Sequence, residues 1–290
     1  MLRISTISFP GFGIGEFNVN SEAFNIGGFG IAWYALIITF GMVCAVAYTV
    51  FMSRKIGITL DDVIDFAIPT IIFGVIGARL YYVFSEIEHY HSLGEVLNIR
   101  NGGLAIYGGI IAGGLTVLVM CYFKKINFFA FADHVSPGVL LAQGIGRWGN
   151  FMNGEAFGYE TDIFCRMGLK NELTDGVLTY VHPTFLYESL WNLMGVLLVN
   201  LYAKFVGKKY DGQLFLMIFG WYGLGRMFIE GLRTDSLYIG NTDIRVSQLL
   251  AAVIFILATA AQIYLAIKRP NKPFFFKKAK ETTKSNKGKK

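Results

Sequence analysis

The chain has 290 residues, of which 54% are hydrophobic and only 16% charged, with a mean hydropathy of +0.49. That is too apolar for a soluble domain and points to a polytopic membrane protein. The formal net charge of +6 is uneven, because ten basic residues fall between Lys268 and Lys290; no nucleic-acid partner is implied. The three cysteines do not make a disulfide framework. Cys44 and Cys121 sit in apolar runs, Cys165 lies in a polar loop without an obvious partner, and no Cys/His spacing resembles a zinc site.

In chain order, residues 1–30 form a mixed arm containing Pro10, Glu16 and Glu22. The arm lacks the basic start and short apolar core of a cleaved signal peptide, so the first span is expected to stay as an anchor. A membrane span needs about 20 mostly apolar residues. Seven stretches meet or approach this: Ile31–Met52, Phe66–Phe84, Leu104–Phe123, Phe128–Ile145, Thr184–Ala203, Gln213–Ile229 and Val246–Ile267. The expected fold is therefore all-α, a polytopic membrane protein with about seven transmembrane helices over residues 31–267.

Lysine and arginine set the orientation. Arg54 and Lys55, Lys124 and Lys125, Lys204, Lys208 and Lys209, and the tail all fall on one side of a seven-span chain. The opposite connections carry Glu86, Glu88, Glu95, Glu160, Asp162, Glu172 and Asp175. The N-terminus is expected outside and the C-terminus in the cytoplasm. The long outward connection 159–183 is expected to form a small head or lid. The tail 268–290 reads as a solvated, disordered segment, with attraction to anionic lipid as the alternative.

Charged residues inside spans cost about 2.5–3.5 kcal/mol each on insertion scales and are functional candidates by default. Here Arg79, Arg147, Glu188, Arg226 and Glu230, with Arg233 just beyond, sit mainly toward the outer half under this orientation. Arg226, Glu230 and Arg233 have the i, i+4, i+7 spacing of one helix face, with Glu230 able to bridge both arginines. Arginines from two helices converging on a wet cavity suit a phosphate, which a guanidinium binds bidentately.

The stretch Gly144–Gly158, GIGRWGNFMNGEAFG, holds five glycines together with Arg147, Asn150, Asn153 and Glu155. It reads as irregular backbone walling a site, since such backbone survives at membrane depth only in a protein interior or wet cavity. In Asn101–Gly109, two glycine pairs flank Tyr107. Either the helix start is packed closely through small residues, or the phenol is presented to a cavity. Trp33 and Tyr34 suit an interfacial belt, and His182 by itself suits a cap or surface position.

GRWGNFMNGEAFG (146–158), NGGLAIYGG (101–109), HPTFLYE (182–188), Arg226 with Glu230 and Arg233, Arg79 in GARLYYV, and Trp33-Tyr34 closely resemble the motifs of the bacterial prolipoprotein diacylglyceryl transferases. The match covers the chain except the tail and the variable loop. The resemblance implies seven spans in the bacterial inner membrane with the active site toward the outer leaflet, no cofactor and no metal. It implies transfer of the diacylglyceryl group of phosphatidylglycerol to the lipobox cysteine of a prolipoprotein signal peptide. It also implies essential roles for Arg147 and for the Arg226–Glu230 pair, while Asn150, Glu155 and Gly158 match the family's conserved polar cluster and Tyr34 its N-terminal tyrosine. Some family members carry a histidine, proposed as the base, where this chain has Tyr107. The base here is then Tyr107, Glu155 or Glu230, or thiol activation is mainly electrostatic. The expected catalytic set is Arg147, Arg226, Glu230, Tyr107 and Glu155. Substrate contacts are expected from Tyr34, Arg79, Asn150, Asn153, Gly158, His182 and Arg233. A carrier or flippase for an anionic lipid is the competing reading; it predicts pseudo-symmetry and polar groups on both sides of the midplane, neither of which the sequence displays. An intramembrane protease would need a Ser–His pair or paired aspartates within spans.

Overall fold

A computed structural model describes residues 4–90, 92–98, 102–240 and 242–268. Asn101 and the tail from 269 onward lie outside the described residues. The chain divides into two compact units, one of residues up to Tyr48 with those from Asp133 on, the other Thr49–Ala132.

The first unit opens with strands, which corrects the all-α expectation. β1 (Ile4–Phe9) and β2 (Ile14–Asn20) pair antiparallel, and β3 (Glu22–Ile26) pairs with β4 (Phe29–Ala32). Within the long loop, β5 (Met167–Lys170) and β6 (Thr179–Val181) extend the first pair into a four-stranded sheet, ordered β2-β1-β5-β6. These strands are short and partly polar, so their alternation is weak in sequence; a sheet partner about 160 residues away stabilises them, and local propensity does not reveal it. Ile7, Val19, Met167, Leu169 and Val181 form the buried core of this sheet together with Phe185. Phe151, Met152 and Phe157 pack against the same cluster. The sheet therefore sits on the ends of two helices, the one that ends at Asn153 and the one that begins at Thr184.

Among the described residues, seven helices have 18 or more residues, one over each expected apolar stretch. They are α1 (Trp33–Ser53), α2 (Leu60–Ser85), α4 (Ile106–Lys124), α5 (Phe128–Asn153), α6 (Thr184–Phe205), α7 (Gln213–Glu230) and α8 (Val246–Lys268); the short α3 spans Leu93–Leu97. Four of the seven, α1, α2, α4 and α8, are long and apolar enough to cross a membrane. α5, α6 and α7 carry the polar load instead, burying Asp133, Glu188, Asn192 and Glu230.

Two devices set the register of α5, α6 and α7. The first is Asp133 in the first turns of α5, which accepts from the N–H of Gly212 (2.9 Å) and of Phe215 (3.0 Å) and so caps the start of α7 from another helix. Lys208 neutralises it at 3.1 Å. A buried carboxylate is tolerated only when paired and hydrogen-bonded in this way. The second is a pair of stacked tryptophans, Trp191 on α6 and Trp221 on α7, with centroids 4.2 Å apart. Each indole N–H donates to the other's backbone carbonyl, at 2.9 and 2.8 Å. Gly225 and Gly195 face these rings, and a Cβ at either position would overlap the opposing indole. That fit puts Glu188 opposite Arg226.

In the second unit, α2 packs on α4 through small residues. A Cβ on Gly77 would collide with Ala112 and Gly108, and one on Gly109 would lie 3.4 Å from the Gly74 carbonyl. Gly108 and Gly109, after Tyr107, therefore serve close helix contact, whereas Gly102 and Gly103 take positive φ in the loop before the helix. Thr59 and Asp62 form a capping box at the start of α2, and Lys124 pairs with Asp62 and Asp65 at 3.3 and 2.6 Å.

Candidate functional site

The glycine-rich stretch is helical through Asn153, which corrects the expectation of irregular backbone from Gly144 onward. Its helical glycines act by close approach. Gly149 lies under the Tyr34 ring, whose Cδ2 would stand 2.7 Å from an added Cβ. The chain turns only at Gly154, with φ +59° and the Ser5 and Asn171 side chains filling the space a Cβ would need. Asn171 donates to the Gly154 carbonyl at 2.8 Å and to Ser5 Oγ at 3.1 Å, tying this corner to the sheet. Gly158 then passes between Leu232 and His182, its N–H donating to the His182 carbonyl at 3.0 Å.

Four charged side chains from three helices form a continuous chain. Arg147 Nη2 (α5) donates to Glu188 Oε1 (α6) at 2.5 Å. Glu188 Oε2 accepts from Arg226 Nη1 (α7) at 2.9 Å, and Arg226 Nη2 lies 2.5 Å from Glu230 Oε2. That last contact is close but misaligned for a hydrogen bond, and Oε2 finds no hydrogen bond among the described residues. The glutamate side chains are 4% and 3% exposed, against 18% for Arg147 and 12% for Arg226. The carboxylates form the floor and the guanidinium groups keep access.

The network continues along α5. Arg147 Nη1 donates to Asn150 Oδ1 at 3.3 Å; Asn150 and Asn153 both donate to Glu155 Oε1, at 3.1 and 3.0 Å. One helical turn away lies a neutral polar layer of Gln143, Asn192 and Tyr222. Asn192 donates to Gln143 Oε1 at 3.2 Å, and Tyr222 hydrogen-bonds the same glutamine. These three stand four residues from Arg147, Glu188 and Arg226 respectively, so i±4 spacing from each charged residue was the signal for them. Glu188 was visible as a charge in a span, but its role as the bridge between two arginines is a tertiary fact.

Other candidates fall elsewhere. Arg233 lies beyond the end of α7, off the helix face shared by Arg226 and Glu230, and grips Asp235 with both sides of its fork, at 2.8 and 2.6 Å. Burial alone would raise the Asp235 carboxyl, but this fork outweighs it and holds the group below the usual range. His182 Nδ1 lies 3.2 Å from the Tyr187 hydroxyl, which in turn meets Cys165 Sγ at 3.5 Å; burial pushes the His182 pKa down. Tyr34, besides covering Gly149, is 38% exposed. Arg79 and Tyr107 belong to the second unit. Five contacts from Arg79 reach the carbonyls of Glu95, Val96, Asn98, Gly102 and Gly103, at 2.8–3.0 Å. A guanidinium has five N–H groups, so Arg79 is committed to shaping its loop. Tyr107 stands in the first turn of α4.

A cleft of about 360 Å³ runs beside the network between α1, α5 and α6, lined by Trp33, Leu36, Phe40, Gly144, Trp148 and Leu193 among others. Its walls are almost wholly apolar. Two of its lining residues are joined by a hydrogen bond, the Trp148 indole N–H donating to Ser189 Oγ at 3.2 Å. Among the described residues no cluster of His, Cys, Asp and Glu has metal-ligand geometry.

Apolar helices long enough to cross a membrane, with half-buried arginines held by buried glutamates from three neighbouring helices, define a membrane protein with an internal charge network. The family model described as prolipoprotein diacylglyceryl transferase matches residues 21–264, and the chain belongs to that family. It is 41% identical over 257 residues to phosphatidylglycerol–prolipoprotein diacylglyceryl transferase 1 of Clostridium perfringens, covering 88% of this chain and 97% of the relative. It is 42% identical over 265 residues to the phosphatidylglycerol–prolipoprotein diacylglyceryl transferase of Enterococcus faecalis, covering 89% and 94%. The similarly named protein of Streptococcus uberis is 41% identical over 259 residues, covering 88% and 97%.

Proposed function

We propose that this protein transfers the diacylglyceryl group of phosphatidylglycerol to the lipobox cysteine thiol of a prolipoprotein, the first step of lipoprotein maturation. The observation that carries the reading is the Arg147–Glu188–Arg226–Glu230 chain, in a protein whose relatives bear that activity in their names. The seven long helices cross the bacterial inner membrane, N-terminus outward, with the site toward the outer leaflet. The distribution of lysine and arginine supports that orientation.

In the proposed reaction the thiolate sulfur attacks C3 of the glyceryl group. A C–S bond forms, the C–O bond to phosphate breaks, and the electron pair leaves with glycerol phosphate. Arg147 and Arg226 stabilise charge growing on the departing phosphate. Glu188 holds both guanidinium groups in place before substrate arrives, so no reorganisation is spent at the moment of reaction. The quartet is formally neutral, and the phosphate engages arginine donors that the glutamates leave open. A thiol of ordinary pKa near 8.5 must lose its proton; either Glu155, Glu230 or Tyr107 accepts it, or activation of the thiol is mainly electrostatic. Glu155 already accepts two amide N–H groups on Oε1. Tyr34, Asn150, Asn153, Gly158, His182 and Arg233 shape the substrate surface, and the apolar cleft gives an acyl chain a dry path beside the arginines.

Purified protein incubated in detergent with phosphatidylglycerol and a lipobox peptide should add one diacylglyceryl mass to the peptide and release glycerol phosphate. Arg147→Ala should abolish the gain while leaving the protein inserted. No mass gain with folded wild-type protein, or full activity of Arg147→Ala, defeats the reading.

A further inference from the structure

One side chain ties the two ends of the loop between α7 and α8 to each other. Arg245, only 9% exposed, stands immediately before α8. Its Nη1 donates to the backbone carbonyl of Glu230, the last residue of α7. Its Nη2 donates to the Tyr159 hydroxyl at 2.9 Å. The guanidinium lies 5.7 Å from the Tyr159 ring centroid and 5.8 Å from that of Tyr238. Residue 245 also bridges Tyr238 through the backbone.

Three segments meet on Arg245, and one of them ends in a member of the charged quartet. The α7 terminus carries Glu230. Tyr159 follows Gly158 and donates its N–H to the Leu232 carbonyl at 2.8 Å. Tyr238 belongs to the loop that follows the Arg233–Asp235 fork. A cation at a helix C-terminus is favoured by the helix dipole, and a planar guanidinium adds ring stacking and directed donors that an ammonium lacks. Gln248, in the first turn of α8, donates to the Met227 carbonyl at 3.0 Å and pins the same terminus from the side.

We propose that Arg245 is a positioning residue: it fixes the last turn of α7 and thereby aims the Glu230 carboxylate at Arg226. The inference rests on the reading that this pair belongs to the catalytic machinery. A displacement of about 1 Å at such a pair is enough to cost on the order of a hundredfold in rate, whereas loss of a loop anchor far from the chemistry lowers stability and leaves turnover intact.

The test is a double-mutant cycle on the transfer reaction, with kcat and KM for phosphatidylglycerol measured separately and melting followed in detergent. Arg245→Gln in the native background should lower kcat/KM at least tenfold. In a Glu230→Gln background the same change should cost less than threefold, because its route of action is already gone. Arg245→Lys restores the charge but not the fork or the stacking, and should recover only part of the loss; it replaces Gln in the cycle if the Gln variant does not fold. Equal losses in both backgrounds, or Arg245→Gln with native kcat/KM, overturn the proposal while leaving the reaction assignment standing. Full activity of Glu230→Gln alone overturns both this inference and the placing of Glu230 in the machinery.

Discussion

Glu188 is the residue on which the charged network turns, and replacing it with glutamine is the sharpest perturbation. The carboxylate is 4% exposed and receives two different arginines, at 2.5 and 2.9 Å. Removing one partner from a buried ion pair costs about 3–5 kcal/mol, because the remaining charge is left uncompensated. Two considerations place this site at the low end. Glutamine keeps one carbonyl acceptor, and the arginines are 18% and 12% exposed, so water screens them in part. About 3 kcal/mol at 1.36 kcal/mol per decade is on the order of a hundredfold in transfer rate, if the loss falls on the transition state. Glu188→Asp keeps the charge but withdraws it by one methylene, so its activity should lie between the two. The assay is peptide mass gain with phosphatidylglycerol and a lipobox peptide, alongside the melting midpoint of each variant in detergent. Glu188→Gln with activity within twofold of native and an unshifted midpoint would refute the view that the carboxylate organises the arginines.

Further outcomes follow from the same packing. Gly225→Ala would drive a methyl into the Trp191 indole; it should lower the melting midpoint and reduce activity by shifting α7 against α6, and an unchanged midpoint would show that the stacked tryptophans do not set that register. Arg79→Lys leaves three donors for five carbonyls. Because the loop is partly open to water, the expected loss is about 1–2 kcal/mol, with faster amide exchange over residues 93–98 and 102–103; native exchange there would contradict the loop-shaping role. The folded Asp235 carboxyl lies below its unfolded value, so the Arg233–Asp235 fork contributes stability that is present above the unfolded carboxylate pKa of about 3.9 and is lost as pH falls through the lower folded value. Wild type should therefore lose melting temperature more steeply than Asp235→Asn on acidification below about pH 4, and parallel curves would remove the fork from the balance.

How much of this was legible in the sequence depended on which interactions were local. Helix existence was legible, because the apolar runs are long and one sits beneath each of the seven long helices. Membrane character was legible for the same reason, and the residue blocks around Arg147, His182 and Arg226 carried the family. The sheet was not legible: Ile4–Phe9 and Met167–Lys170 are short strands that acquire their meaning only by pairing with each other across most of the chain. Nor was the backbone at Gly144–Asn153. Glycine in that density reads as a loop when neighbours are unknown, yet it is a helix once Tyr34 and α6 are seen to need the missing side chains. The i, i+4, i+7 spacing placed Arg233 with Arg226 only on the premise that the helix continued, and α7 ends at Glu230.

The sequence by itself determined the solvent, the order of apolar segments, and the list of charges too expensive to bury without purpose. Tertiary structure alone decided which of those charges meet. Arg147, Glu188 and Arg226 lie about 40 residues apart in successive steps along the chain, and no local rule pairs them. They meet because Asp133 caps α7 and because two glycines let two indoles stack, which fixes the register of three helices to within a hydrogen bond. Buried ion pairs need that accuracy, since they are favourable only when the geometry leaves no charge unpaired.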